Sequence, residues 1–295
     1  MTLIDLITAQ AARLKQAGVS FGHGTGNAFD EAAWLVLWSL GLAMDALEAK
    51  AQTELGAEEQ AKAEALITRR IETRQPAAYL TQEAWLQNVP FYIDERSIVP
   101  RSFIAELLAD GEGTGTLDAW LSDATHKVLD LCTGNGSLAV IAAMAYPEVT
   151  VDAADISADA LAVARINVDR HQLADRIKVI ESDLYAAVRG PYDLILCNPP
   201  YVNTQSMQAL PAEYRAEPAL ALAGGDDGMD LVRRILREAP AKMSPEAVLV
   251  LEIGHERAHF EHAFRRLEVA WLETSAGEDQ VLLVTRAALS KYRWS

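Results

Sequence analysis

The run Tyr192-Asp193-Leu194-Ile195-Leu196-Cys197-Asn198-Pro199-Pro200-Tyr201 constrains this chain most. A mostly apolar, strand-like stretch stops at Asn-Pro-Pro-Tyr. Two prolines remove two backbone donors and fix φ, so the strand cannot continue as a paired ladder. Each residue before a proline is also turned away from helix. The chain must leave its sheet as a stiff, extended elbow. That elbow holds one amide side chain, Asn198, near one aromatic face, Tyr201, at the carboxyl end of a strand. In open α/β sheets ligands bind at that edge.

The pairing suits methyl transfer to a planar nitrogen. Such a nitrogen is a poor nucleophile because its lone pair is delocalised into the adjacent π system. Two acceptors aimed at its N–H groups favour a more pyramidal, electron-rich nitrogen, and the Asn198 side-chain oxygen and the Pro199 carbonyl are the obvious pair. Tyr201 can hold the planar group by stacking. Catalysis would then be mostly positioning and preorganised polarity. The alternative is a proline turn that merely ends a strand.

The segments upstream fit the first reading. Residues 127–132 read as a short buried strand, Thr133-Gly134-Asn135-Gly136 as a glycine turn, and residues 137–146 as an apolar helix. Glycines let a ligand lie against bare backbone, and the helix start offers free N–H groups. Asp130 can accept from a ligand ammonium or order the turn. A second strand, residues 149–154, ends at Asp155. That carboxylate follows Gly136 by about 20 residues, the spacing at which an acidic side chain takes ribose hydroxyls. A third strand, residues 177–181, leads to Ser182-Asp183-Leu184. Asp183 there can accept from an adenine amino group and Leu184 can pack on the ring, or Asp183 can simply cap a turn. Gly134-Asn135-Gly136-Ser137-Leu138-Ala139 also fits the dinucleotide fingerprint, so an NAD-dependent oxidoreductase is the rival from another class. It gives no reason for Asn-Pro-Pro-Tyr.

With these residues in order, the chain resembles the S-adenosylmethionine-dependent methyltransferases of Rossmann-like fold, and within them the protein-(glutamine-N5) methyltransferases. Further phrases carry the likeness: Val99-Pro100-Arg101-Ser102, Leu210-Pro211-Ala212-Glu213-Tyr214-Arg215-Ala216-Glu217-Pro218 and Gly224-Gly225-Asp226-Asp227-Gly228-Met229-Asp230. They are most similar to the branch acting on ribosomal protein L-three of the large subunit, free or in a pre-ribosomal particle. The release-factor branch is the alternative. The resemblance implies S-adenosylmethionine as cofactor, held by Asp130, Thr133, Gly134, Asn135, Gly136, Asp155, Asp183, Leu184 and Asn198. It implies Asn198, Pro199 and Tyr201 as catalytic residues, with Pro200 and Arg101 beside them for the substrate. Arg101 has a plain salt bridge as its other reading. Asn135 stands where relatives often have Ser or Thr, in what reads as a tolerant backbone turn.

Composition narrows the partners. Net charge is −16. A protein gripping duplex DNA or naked RNA needs a basic footprint, and none is concentrated here, which argues against an adenine-N6 methyltransferase of nucleic acid. The pairs Arg69-Arg70, Arg233-Arg234 and Arg265-Arg266 read as solvated helix faces. An acidic chain is compatible with a basic protein partner, whether as enzyme or as a non-catalytic assembly factor. Two cysteines suggest no disulfide framework, and no segment reads as a signal peptide or a bilayer span, so a cytoplasmic protein is expected.

The organisation reads as α/β. Residues 1–84 form a small helical bundle for substrate recognition, 85–98 a hairpin linker, and 99–295 the methyltransferase domain. Residues 2–17 are amphipathic with Gly18 as the stop, 30–42 are apolar almost all round, and 58–73 continue the bundle. Trp34 and Trp38 read as core. Residues 103–121 read as a helix interrupted by Gly111-Glu112-Gly113-Thr114-Gly115. After the elbow come a helix over 230–238 and strands over 248–253, 267–271 and 280–285, with a turn at 277–279. Glu252 ends a strand and could approach the pocket; a carboxylate in solvent is the expectation. His255, His259 and His262 fall at helical spacing that could hold a metal; solvated histidines are the expectation, with no metal.

Overall fold

The computed structural model describes residues 1–108 and 116–294. The expected Gly111–Gly115 interruption lies outside the described residues. The bundle opens with the helix Leu3–Gln16. Thr2 caps it by accepting from the Asp5 N–H while Asp5 returns the bond to Thr2 N. Leu3, Leu6, Ile7 and Leu14 are fully buried on one face, each burial contributing about 1.5–3 kcal/mol. The helix Ala28–Ser39 starts at Asn27, whose side chain accepts from Phe29 N and Asp30 N. Its near-continuous burial matches its apolar sequence. Trp34 is core, but Trp38 is 41% exposed. The helix Ala57–Thr73 packs across both.

A hairpin follows: β1, Glu83–Leu86, and β2, Val89–Tyr92. Gln87 and Asn88 both take positive φ between them, the geometry of a tight hairpin turn. The hairpin sends Ala84 into the bundle core and Phe91 into the core beneath the main sheet.

The main sheet has seven strands: β3 Lys127–Leu131, β4 Thr150–Asp155, β5 Ile177–Glu181, β6 Tyr192–Cys197, β7 Met243–Glu252, β8 Ala270–Thr274 and β9 Gly277–Thr285. Their order is β5-β4-β3-β6-β7-β9-β8. β3 to β7 are parallel, with β3 flanked by β4 on one side and β6 on the other. The chain order reverses at β3, so the crevice at its carboxyl end is the topological switch point. β9 runs antiparallel to both neighbours. The short connection at Ser275 and Ala276 makes β8 and β9 a hairpin, since a parallel pair needs a long crossover. The turn expected at 277–279 is therefore already inside β9, and β8 starts at Ala270 rather than 267. Helices cover both sheet faces, burying two apolar cores.

Candidate active site

The carboxyl ends of β3, β4, β5, β6 and β7 surround one cavity of about 790 Å³, large enough for a drug-sized ligand. On one side lies the turn after β3. Cys132, Gly134 and Gly136 all take positive φ. A Cβ on Gly136 would stand 3.1 Å from that of Ala164, so glycine lets the turn pack this closely on the helix Ala158–Arg170, and its φ of +81° also favours glycine. Asp130 is fully buried behind the turn. It accepts from Thr133 Oγ1, and from Ala139 N at 3.0 Å, while its other oxygen has no partner. Burial pushes its carboxyl up to about 7 against those hydrogen bonds. Of the two roles open to Asp130, ordering the turn is the one its contacts fill.

Asp155, at the end of β4, accepts from Gly134 N and Ser157 N, both at 2.9 Å. Burial raises its carboxyl and these backbone bonds oppose the rise. The carboxylate is thus aimed by the turn it faces. After β5, Asp183 is exposed and receives Arg234 at 3.0 and 3.1 Å; Leu184 is buried. Asn135 departs from the tolerant turn residue expected. It is 2% exposed, donates to Ile98 O at 2.8 Å and accepts from Ser137 N at 2.9 Å. Asn167, which sequence reasoning missed, donates to the Asn135 carbonyl and brackets Tyr92 of the hairpin through both backbone groups.

The elbow forms the next wall. Asn198, Pro199, Pro200 and Tyr201 all line the cavity. The Asn198 side-chain amide has no hydrogen-bond partner among the described residues. Two glycines press the elbow into place. A Cβ on Gly228 would stand 2.2 Å from the Tyr201 carbonyl oxygen, and one on Gly254 would stand 2.6 Å from Tyr201 Cε2. The Gly224–Gly228 phrase thereby acquires a physical reason.

The far wall joins segments distant in sequence. Arg101 lines the cavity and donates to both oxygens of Glu217 at 2.7 Å, so the salt-bridge reading and the pocket reading both hold. Val99 N adds 3.0 Å to the same carboxylate, and His23 Nε2 stands 3.4 Å away. Burial pushes Glu217 up, but His23 and Arg101 outweigh it and hold the carboxyl at about 2. Tyr214 packs against His23, with ring centroids 4.3 Å apart. Arg70 is not solvated as its sequence suggested. It is fully buried, donating to Glu31 at 2.8 Å, Ser20 O at 3.0 Å and Glu213 at 3.3 Å. Arg233 and Arg234 do lie on the surface, paired with Asp227 and Asp183.

Glu252 is not a solvent carboxylate. It is 1% exposed, at the end of β7 and on the cavity wall. His255, His259 and His262 are all exposed, and His255 precedes the helix Arg257–Ala263 rather than sharing its face. Among the described residues no His, Cys, Asp and Glu cluster could hold a metal.

The fold and the strand-end site define a Rossmann-like class I methyltransferase, the class whose cofactor is S-adenosylmethionine. Residues 111–216 match the methyltransferase small domain and residues 5–81 the PrmC N-terminal domain. The chain belongs to the ribosomal protein uL3 glutamine methyltransferase family: it is 52% identical to the member from Bordetella pertussis, over 98% of this chain and 96% of that one. The Burkholderia pseudomallei member is 51% identical, over 98% and 95%. Among solved structures, the hMettl16 catalytic domain, in complex with the MAT2A 3′UTR hairpin 6, shares the fold at 14% identity. Its TM-score is 0.50, covering 77% of this chain and 80% of that one.

The cavity fits S-adenosylmethionine. The turn leaves bare backbone at Gly134, Asp155 is preset beside it, and Ile156 offers an apolar surface that is 53% exposed.

Proposed function

We propose that this protein transfers a methyl group from S-adenosylmethionine to the side-chain amide nitrogen of a glutamine in ribosomal protein uL3. The observation that carries the reading is Asn198: an amide with no hydrogen-bond partner among the described residues, held at a rigid elbow inside the cavity beside Pro199 and Tyr201. A side-chain amide left unpaired at a cavity wall is available to a ligand. The curated relatives are named as uL3 glutamine methyltransferases, which supports the choice of substrate.

The cofactor supplies an electrophilic methyl group. Asp155 takes the ribose hydroxyls, while Leu184, Ile156 and Asp183 receive the adenine. Thr133, Gly134, Asn135 and Gly136 let the rest of the cofactor lie along the turn that Asp130 braces. Asn198 Oδ1 and the Pro199 carbonyl accept from the two N–H groups of the substrate amide. The Tyr201 ring holds that amide flat at first contact, and Pro200 keeps the elbow extended. The nitrogen becomes acidic only as the new N–C bond forms, so no strong base is required before attack; the S–CH3 bond would break with its electron pair left on sulfur, and the nitrogen would then lose one proton to solvent. Arg101 is already neutralised by Glu217 and serves as cavity wall rather than as an anion site.

The helical part, residues 1–84, and the hairpin recognise the protein substrate, in the cytoplasm, either free or in a pre-ribosomal particle. A glutamine is too common to identify a protein, so the difference in binding energy must come from outside the reacting amide. No helix among the described residues is long and apolar enough to cross a membrane.

The test is incubation with labelled S-adenosylmethionine and either unmethylated uL3 or an unmethylated release factor, followed by mass mapping. The expected product is a single methylated glutamine side chain in uL3. Labelling of the release factor in preference to uL3 would contradict the proposal.

A further inference from the structure

Glu252 is a buried carboxylate with no Lys, Arg or His in ion-pair contact among the described residues. Burying such a group costs several kcal/mol unless its bonds repay it. A hydrophobic residue would fill the strand end more cheaply. Three donors converge on it. Ser102 Oγ donates to Oε2 at 2.6 Å and Phe103 N to the same oxygen at 2.9 Å. The Tyr201 hydroxyl faces Oε1 at 3.4 Å, and Glu252 is the only hydrogen-bond partner of that hydroxyl among the described residues.

The two ends of this arrangement differ. Ser102 and Phe103 lock the carboxylate to the segment that leads into the helix Ile104–Leu108. The free oxygen then points at the residue on which the substrate amide would rest. Two residues on, Gly254 lies against the hydroxyl end of the same ring, since a Cβ there would stand 2.6 Å from Cε2 and 3.2 Å from the hydroxyl oxygen. One strand end, Glu252-Ile253-Gly254, therefore fixes the Tyr201 ring both at its hydroxyl and at its edge.

We propose that Glu252 is a positioning residue that sets the Tyr201 ring against the substrate amide, and that it acts on the methyl-transfer step through the tyrosine hydroxyl. This rests on the glutamine methyl-transfer reading. Burial pushes the Glu252 carboxyl up to about 7, partly opposed by its bonds from Ser102 and Phe103, which is consistent with a group kept in an unfavourable place for a purpose. Small misplacements at a reacting centre are costly: about 1 Å can cost roughly a hundredfold in rate.

The experiment is a double-mutant cycle on the full chain with Glu252→Ala and Tyr201→Phe, and with Ser102→Ala and Glu252→Gln alongside. Each enzyme is measured for kcat and KM on uL3 and for S-adenosylmethionine affinity by calorimetry. Glu252→Ala and Tyr201→Phe should each lower kcat by about tenfold or more, the effect of losing one hydrogen bond to a charged group, with cofactor affinity within about twofold. The double variant should be no worse than the worse single variant, because both remove the same contact. Glu252→Gln keeps an acceptor oxygen and the side-chain shape, so it should recover part of the loss.

Multiplying effects in the double variant, or a Tyr201→Phe enzyme with normal kcat, would overturn the proposal. So would a Ser102→Ala enzyme that reproduces the whole Glu252→Ala loss, since Glu252 would then only tether its segment. If Glu252→Ala does not fold, Tyr201→Phe, Glu252→Gln and their double variant decide on the same criteria. A wild-type enzyme that binds cofactor but leaves uL3 unmethylated refutes the methyl-transfer reading instead, and is thereby told apart.

Discussion

The wall of the cavity proposed to hold the cofactor is assembled from strand ends that follow one another along the chain: the turn at Gly134, Asp155 after β4 and Asp183 after β5. The opposite wall joins Arg101 to Glu217 across 116 positions, Arg70 to Glu213 across 143 and Ser102 to Glu252 across 150. The first wall repeats a local rule, strand then turn then helix, so each piece carries its own sequence signal. The second exists only once the chain is folded. The bundle, residues 97–103 and residues 210–222 meet there through buried charges. The consequence is functional. The bundle does not stand apart from the chemistry, because Gly22 lines the same cavity as Asn198 and packs against the Tyr214 hydroxyl.

The comparison can be broken first at Arg70. Arg70→Ala leaves Glu31 and Glu213 buried without their shared cation, so stability should fall by about 3–5 kcal/mol in urea unfolding. A loss under about 1 kcal/mol, the scale of a surface pair, would mean the joint is not what holds the far wall.

Asn198→Ala is expected to lower kcat by about a hundredfold or more, about 2.7 kcal/mol, with cofactor affinity largely kept. Its acceptor bond strengthens as the amide nitrogen pyramidalises. Normal turnover would reduce the elbow to a structural turn.

On the cofactor wall, Asp155→Ala should weaken S-adenosylmethionine binding by about 1.5–3 kcal/mol by calorimetry. The uL3 affinity of the same variant should change little if the walls are independent. A matching loss of both would join them.

The smallest effects distinguish the walls by pH. Glu217 sits at about 2, below its ordinary 4.5, so the folded chain binds fewer protons than the unfolded one between those values. Its stabilisation is present above pH 4.5 and is lost as pH falls toward 2. Asp130, at about 7, runs the other way: its contribution is present below its ordinary 3.8 and is lost as pH rises through 7. Glu217→Gln should flatten the acid limb of a stability–pH series, and Asp130→Asn the limb between about 4 and 7. Unchanged limbs would remove these groups from the balance.

How much was legible follows the same division. The Rossmann-like sheet, the glycine turn and the Asn-Pro-Pro-Tyr elbow all announce themselves by composition within a few residues. Arg70 does not. Two adjacent arginines on a helix point about 100° apart, and nothing local says that one of them meets glutamates from two other segments. Glu252 failed for a related reason. Its position at a strand end is visible, but the donors that justify its burial come from residues 102, 103 and 201. Asn167 sits mid-helix, with partners in the hairpin and the glycine turn. Local pattern identifies groups held by their own neighbours and misses those held by distant ones.

The division of labour between the two walls is tested most directly by exchanging segments with a release-factor relative. One chimera replaces residues 1–98 alone; the other replaces residues 1–98 together with 210–222. The measurement is the ratio of kcat/KM on uL3 to kcat/KM on the release factor, with cofactor affinity as a control. We predict that only the second chimera folds to wild-type stability and inverts the ratio, because Arg70, Arg74 and His23 meet Glu213 and Glu217 across the joint. A second chimera that folds, binds cofactor and still prefers uL3 would contradict this, and would place substrate choice in the sheet and its elbow instead.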